Sequence, residues 1–233
     1  MNCIITGASK GLGLAMAEKF AAGGYDLVVC SRSEKAIKKT AETLAQSFPK
    51  SKVFWRTADL AEKEQTKAFA RWILAEELTP DVLINNAGQF IPGSVYNEKE
   101  DALEQMMATN LYSAYHLTRS LLPAMMERKK GHIFNICSIA SLQAYANGGA
   151  YSISKFALAG FSKNLREEMK PHGIKVTAVY PGATYTDSWA GSGIDPQRIM
   201  EAADIADLVY TASRLSDRAV VEDLIVRPQL GDL

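Results

Sequence analysis

The sequence predicts an α/β protein: a single domain over residues 1–233, doubly wound (Rossmann-type) on a parallel sheet of about seven strands. Three observations predict it. Short β-rich runs alternate with longer helical patterns from end to end. Those runs are apolar throughout instead of alternating with polar residues, as strands covered by helices on both faces require. The first run leads directly into the glycine-rich stretch "TGASKGLG" at 6–13 and then into a helical pattern, the order that a nucleotide-binding βα turn needs.

Each element follows in turn. "NCIIT" is the first strand, and Leu12, Met16 and Phe20 recur at four-residue spacing in a helix that Gly23 and Gly24 stop. "DLVVCS" is the second strand; the helix after it shows Ile37, Thr40, Ala41, Leu44 and Phe48 on one face. "KVFWRT" precedes a helix over about residues 62–77, and "DVLINN" precedes a long helix over about 100–129. "GHIFNICS" leads to the helix carrying "YSISK" at 151–155, and "IKVTAVY" to a loop and a helix near 204–215; "DLIVRP" supplies the last strand. Repeats, low-complexity tracts and linkers are missing from the pattern.

Composition narrows the function classes. Hydrophobic residues make up 47% of the chain, and 26 Lys and Arg balance 26 Asp and Glu. A sizeable core is available, and no basic excess points to nucleic acid or an anionic membrane surface. No run reaches the 18 apolar residues of a membrane span, so the expected partner is a small molecule. Cys3, Cys30 and Cys137 each sit in or beside a strand run without C-x-x-C spacing. They read as buried reduced thiols, which suits a cytoplasmic location. His116, His132 and His172 lack metal-ligand spacing and read as surface or capping residues, so no metal is expected. Asp59 and Asp81 read as loop and strand-edge residues, and Met125 and Met126 as core or subunit contacts.

In a doubly wound sheet, ligands bind beyond the carboxyl ends of the strands. Gly7, Gly11 and Gly13 leave room for a tight turn, a pyrophosphate against the backbone and close helix–strand packing. The helix that follows points its positive end at the anion. About twenty residues on, where an NAD site places an acidic residue for the ribose 2′-hydroxyl, the chain has Ser31 and Arg32. A cation there suits the 2′-phosphate of NADP(H), and Lys10 is within reach of the same group.

Tyr151 and Lys155 stand four positions apart, on one helical face, with Ser138 at the end of an apolar run thirteen residues earlier. A Tyr-x-x-x-Lys pair arises about 0.6 times by chance in a chain of this composition, so its context decides. "TGASKGLG", "DL" at 59–60, "NNAG" at 85–88, Asn110, Ser138, "YSISK" and "PGATYT" at 181–186 stand in this order. Together they resemble the short-chain dehydrogenase/reductase family over essentially the whole chain.

That resemblance implies an NADP(H)-dependent oxidoreductase interconverting a ketone or aldehyde and an alcohol. It implies that the cofactor lies along the first loop, including Ser9 and Leu12, with Asp59 and Leu60 flanking the adenine. Asn86, Ala87 and Gly88 would support the ribose, and Pro181, Gly182, Thr184 and Thr186 the nicotinamide carboxamide. Tyr151 would exchange the proton, Ser138 would hold the substrate oxygen, and Lys155 would serve both the phenol and the ribose. Asn110 would hold a water linking Lys155 to solvent; read from the residues alone, it is equally a helix residue bonded to a neighbour. A Lys ammonium about 4 Å from the phenol contributes ~4 kcal/mol, roughly 3 pK units, which puts the tyrosine near 7, with burial opposing.

The rival readings are a 3-oxoacyl-thioester (acyl carrier protein) reductase, an epimerase or dehydratase, and a nucleotide-binding sensor without catalysis. The resemblance also implies a homodimer or homotetramer through the long helix and the Tyr–Lys helix. Between Thr186 and the last helix lies a short lid, about residues 187–203, with room for one short helix after Pro196. Trp189 in it, with Tyr145 and Phe90, would wall an apolar substrate pocket.

Overall fold

The structure, a computed structural model, describes residues 1–186 and 193–232. Seven strands form one sheet: β1 (Asn2–Thr6), β2 (Asp26–Ser31), β3 (Val53–Thr57), β4 (Val82–Asn85), β5 (Gly131–Ile136), β6 (Ile174–Pro181) and β7 (Asp223–Val226). Their order is β3-β2-β1-β4-β5-β6-β7, and all neighbours pair in parallel. The chain winds outward from β1 to β3, then returns to start the other half at β4. The β1/β4 boundary is therefore the switch point where such sheets open a crevice.

Both faces are covered because the inner strands β1, β2, β4, β5 and β6 are apolar on both. In β1, Cys3 and Ile5 belong to one core cluster and Ile4 to the other, as the two-residue period of a strand dictates. On the first face, α1 (Gly11–Ala22) contributes Met16 and Phe20, α2 (Glu34–Ser47) contributes Ile37 and Leu44, and α7 (Ala202–Ser213) contributes Ile205 and Val209. On the second, α3 (Lys63–Ala75) brings Phe69 and Ile73, α5 (Ser113–Arg128) brings Leu117 and Leu121, and α6 (Gly149–Met169) brings Leu165. Each such side chain contributes about 1.5–3 kcal/mol when fully buried. The α2 start shows the local logic: Ser33 accepts from the Ala36 N–H at 3.3 Å and fixes where the helix begins.

The edge strand β7 has little core of its own, and a buried cation ties it down. Arg166 on α6 is 6% exposed and donates to the carbonyl oxygens of Val176 and Glu222 and to the Asp223 carboxylate. A charge removed from water persists only when its donors are satisfied, as these are.

Three expectations change in detail. The long helix near 100–129 is interrupted: α4 (Ala102–Met107) passes through a π-helical turn, Ala108–Tyr112, into α5. The wider turn inserts an extra residue and draws Asn110 inward, where it is 1% exposed. The last helix begins two residues before the sequence placed it, at Ala202, with Glu201 and Asp204 forming a reciprocal cap. Finally, His132 is not a surface or capping residue. It lies in β5, 4% exposed, stacked on Phe134 with ring centroids 4.0 Å apart, and its Nε2 is 2.7 Å from the Thr177 hydroxyl. A central strand covered on both faces has no surface position to offer it. The three cysteines are buried, and burial raises all three thiols above their ordinary range.

Candidate active site

The site is assembled at the carboxyl ends of β1, β4, β5 and β6. The turn after β1 takes positive φ at Gly7 (65°) and Gly11 (56°), which favours glycine. Closeness matters as much. A Cβ at Gly13 would sit 2.3 Å from the Gly7 carbonyl oxygen, and one at Gly11 would sit 3.3 Å from the Thr186 methyl group. α1 can therefore pack tightly under the loop, and the 181–186 segment lies over it. Lys10, at the helix N-cap, makes no side-chain hydrogen bond to the helix, which leaves the first-turn amides to face an anion.

Thr6, which opens the glycine stretch, was not singled out from the sequence. Its hydroxyl accepts from the backbone N–H groups of Asn86 (2.9 Å) and Ala87 (2.8 Å). The Asn86 amide answers by donating to the carbonyl oxygens of Thr6 (2.9 Å) and Gly7 (3.2 Å). Two loops distant in sequence are thus pinned together at the switch point. Asn85, one position earlier, turns inward and donates to Thr118 and Asn135.

At the end of β2, Ser31 donates to the Ser33 carbonyl oxygen at 3.1 Å and is half-buried, while Arg32 is exposed. Thr40 holds the Ser9 carbonyl oxygen at 3.4 Å. Leu60 turns its side chain into the core with Phe69 and Ile73. Asp59 closes its own turn, accepting from the Ala61 N–H at 3.1 Å. On the far side, Thr184 bridges to Met200 and donates to the Gly182 carbonyl oxygen at 3.0 Å. Gly182 lies against Pro228 and Asp232. Arg198 bonds the carbonyl oxygens of Leu230, Gly231 and Asp232, so the end of the chain buttresses this loop; nothing in the sequence flagged that contact.

The Tyr–Lys helix is α6. Lys155 is 5% exposed; its Nζ lies 5.8 Å from the centre of the Tyr151 ring and donates to the Ile136 carbonyl oxygen at 2.8 Å. Ser138 opens a short 3-10 turn, Ile139–Ser141, with its hydroxyl 3.2 Å from the Ala140 N–H, and the same hydroxyl bonds the Tyr151 phenol. Ser141, also missed from the sequence, returns the cap by accepting from the Ser138 N–H.

Asn110 is occupied by protein groups. Its Oδ1 accepts from the Gln89 N–H at 2.7 Å, and its Nδ2 donates to the Gln89 carbonyl oxygen and to Ser154 Oγ. It clamps the residue after "NNAG" to α6. A Cβ at Gly88 would stand 3.2 Å from Asn110 Oδ1 and 3.6 Å from Lys155 Nζ, so glycine keeps that space open.

The electrostatics differ from the sequence estimate. The phenol of Tyr151 is raised above its ordinary value, not lowered toward 7; burial is the main cause, opposed by the Ser138 hydrogen bond. Lysine does not offset this, because its ammonium sits under the ring on a backbone carbonyl, and burial pushes its own pKa down to about 8. Phe90 packs edge-on to Tyr151, with centroids 4.9 Å apart. Tyr145, part-exposed, is also raised, to about 12, by burial and by Tyr151. Both aromatics thus border the phenol. Trp189, the third expected wall of the pocket, lies with the rest of residues 187–192 at the start of the expected lid, outside the described residues; the short helix after Pro196 is present as Pro196–Arg198.

The glycine cradles and exposed Arg32 fit a phosphorylated dinucleotide. Comparison with known proteins agrees with that geometry. A sepiapterin reductase of Chlorobaculum tepidum is 32% identical over 239 residues, with 99% of this chain and 97% of that protein aligned. Dehydrogenase/reductase SDR family member 7B of Mus musculus is 39% identical over 186 residues; the match takes in 79% of this chain but only 58% of that longer protein. A metagenomic short-chain oxidoreductase solved in complex with NADP superposes with a TM-score of 0.84 at 31% identity, over 98% of this chain and 97% of its own. The short chain dehydrogenase family model matches residues 2–196, and with these relatives it places the chain in the short-chain dehydrogenase/reductase family.

Proposed function

We propose that this oxidoreductase reduces a ketone or aldehyde to an alcohol with NADPH, using Tyr151 as the general acid and Ser138 as a hydrogen-bond donor to the same oxygen. The observation that carries the reading is the state of Tyr151. Its phenol is held by Ser138, bordered by Phe90 and Tyr145, and kept protonated at neutral pH by burial. A protonated phenol is the form needed to give a proton to a developing alkoxide.

The cofactor is NADP(H). When bound, it supplies the hydride that reaches the carbonyl carbon. The chain's own groups do the rest. Tyr151 passes its proton to the substrate oxygen, and Ser138 stabilises the charge that builds there. Lys155 spends one N–H on Ile136 and retains two for ribose hydroxyls. Its amine, 5.8 Å from the ring centre, is in place to meet the phenolate left behind, although it does not lower the pKa of the resting phenol. Asn110 acts by holding Gln89 and Ser154 in place. Arg32, with Lys10, would pair with the 2′-phosphate, and the 181–186 loop would hold the carboxamide.

Assayed against a panel of diketones, aldehydes, pterins and 3-oxoacyl thioesters, the protein should oxidise NADPH with at least one simple carbonyl. It should prefer NADPH to NADH in kcat/KM by about a hundredfold, ~2.7 kcal/mol of selective binding. Arg32→Ala should remove most of that gap by weakening NADPH alone. Turnover confined to oxoacyl thioesters would replace the reading with the thioester reductase, and binding without turnover would make it a sensor. Equal use of NADH and NADPH would defeat the roles given to Ser31 and Arg32.

The domain reading, one unit with a short lid at 187–203 and an open pocket, belongs to the same proposal. So does a cytoplasmic setting, supported by the three buried thiols. Among the described residues, no helix is long and apolar enough to cross a membrane.

Assembly as a homodimer or homotetramer is supported by apolar side chains left exposed on α6 and on the π turn and α5. Ile153 and Phe156 are each 45% exposed, Tyr112 47% and Tyr115 38%. A groove of 390 Å³ runs beside Leu111, Tyr112, Tyr115 and His116. Light scattering at micromolar concentration should give at least twice the 25.4 kDa chain mass; a species of single-chain mass would refute the assembly.

A further inference from the structure

The helix that carries Tyr151 starts without a cap of its own. Gly148 makes no side-chain hydrogen bond to it, and its first turn holds no acidic residue. The missing acceptor comes from 52 positions away: Glu98 Oε2 takes the Ala150 N–H at 3.0 Å, one residue before the tyrosine. A carboxylate at a helix N-terminus satisfies an orphan amide and meets the positive end of the dipole.

The surroundings are built around this contact. The Gly93 N–H donates to the Asn147 carbonyl oxygen at 3.2 Å, and the Ser94 hydroxyl donates to Asn147 Oδ1 at 3.1 Å. Glu98 itself is fixed by its N–H donating to the Ser94 carbonyl oxygen at 2.8 Å. Gly149 has φ 27°, and a Cβ there would lie 2.4 Å from Glu98 Oε2 and 2.5 Å from the Gly93 carbonyl oxygen. Only glycine lets the two segments meet so closely. Beneath them Ala102, Met106 and Ala150 form a small apolar cluster against which Ile91 and Tyr151 pack. The segment clipped in this way begins directly after Phe90, the ring that touches Tyr151.

We propose that Glu98 is a positioning residue for the reaction: it caps the helix of Tyr151 from outside and, through the 91–98 segment, holds Phe90 against the phenol. The inference rests on the reading of Tyr151 as the proton donor. With Glu98 bound to Ala150, the first turn of α6 is anchored and the phenol keeps its register with Ser138. Without it, the first turn opens and the pocket wall loosens. The glycine cradle lies elsewhere and is untouched.

Glu98→Ala and Glu98→Gln separate this role from general damage. In Glu98→Ala, kcat for carbonyl reduction should fall about tenfold, and the Ala150 amide should exchange with solvent about tenfold faster, the size expected for loss of a helix cap. The NADPH dissociation constant should stay within about twofold. Glu98→Gln keeps an acceptor oxygen and should return kcat to within about threefold of the parent. A kcat for Glu98→Ala within twofold of the parent would overturn the proposal. So would unchanged Ala150 exchange, a Glu98→Gln variant as impaired as Glu98→Ala, or an equal loss of NADPH binding. Should Tyr151→Phe prove fully active, the proton-donor reading falls on that result, while Ala150 exchange still decides whether Glu98 caps the helix.

Discussion

Tyr151→Phe is expected to lower kcat about a thousandfold, ~4 kcal/mol of transition-state stabilisation, in the middle of the range for a positioned general acid. NADPH binding should change little. The substitution is clean because most of what holds the ring is independent of its hydroxyl. The edge contact with Phe90 and the Lys155 ammonium 5.8 Å from the ring centre both survive in phenylalanine, and only the hydrogen bond with Ser138 is lost. Lys155→Ala should behave differently, impairing both turnover and cofactor affinity, since the amine serves phenol and ribose. Steady-state kinetics beside a fluorescence titration of NADPH separates the two patterns. A Tyr151→Phe enzyme retaining more than about a tenth of the parent kcat would remove Tyr151 as the proton donor.

Acid should weaken the fold through His132, and the sign follows from its surroundings. The Thr177 hydroxyl donates to the Val221 carbonyl oxygen, so it accepts from His132 Nε2–H. Nδ1 is buried without a partner, so a proton there would have no acceptor, and burial keeps the ring neutral. Burial lowers its pKa from 6.5 to about 3, and the charge of Lys175 adds to the effect. Above 6.5 neither the folded nor the unfolded chain binds this proton, and the stability is fully present. As pH falls below 6.5 the unfolded chain takes up a proton that the folded one refuses. The loss is about 1.4 kcal/mol per pH unit, ~2.7 kcal/mol at pH 4.5, and levels off at ~4.4 kcal/mol by pH 3, where the folded ring begins to take up the proton as well. Urea unfolding at pH 7 and pH 4.5 reads this directly. His132→Leu should shrink the difference between the two pH values by about 2.7 kcal/mol; a variant with the parent's pH dependence would show that carboxylates, not this ring, set acid stability.

His132 also shows why some of the structure was not legible in the sequence. The run "HIFNI" reads as a strand whichever way its first residue faces, and polar side chains at strand ends are ordinarily solvated. Its burial is decided by β6, whose Thr177 supplies the one hydrogen bond that makes a neutral imidazole tolerable inside. The π turn at Asn110 is similar: four-residue apolar spacing continues through it, so periodicity carries no trace of the extra residue. The C-terminal contacts of Arg198 and the Glu98 cap join segments more than thirty and fifty positions apart, beyond any local pattern.

What the sequence by itself determined is the layered α/β fold and the neighbourhood of its site. Strand runs apolar on both faces need helices on both faces, and a glycine turn after the first strand lies at the switch point of the sheet. These follow from local chemistry repeated along the chain. Helical spacing alone likewise puts Tyr151 and Lys155 on one face. Only the tertiary structure decided what that pair does to itself. Lys155 is drawn under the ring by the Ile136 carbonyl at the end of β5, and both groups are buried by elements remote in sequence. A pKa is set by desolvation and by every neighbouring dipole, not by the spacing of two residues. The phenol is therefore raised where spacing alone had suggested a fall.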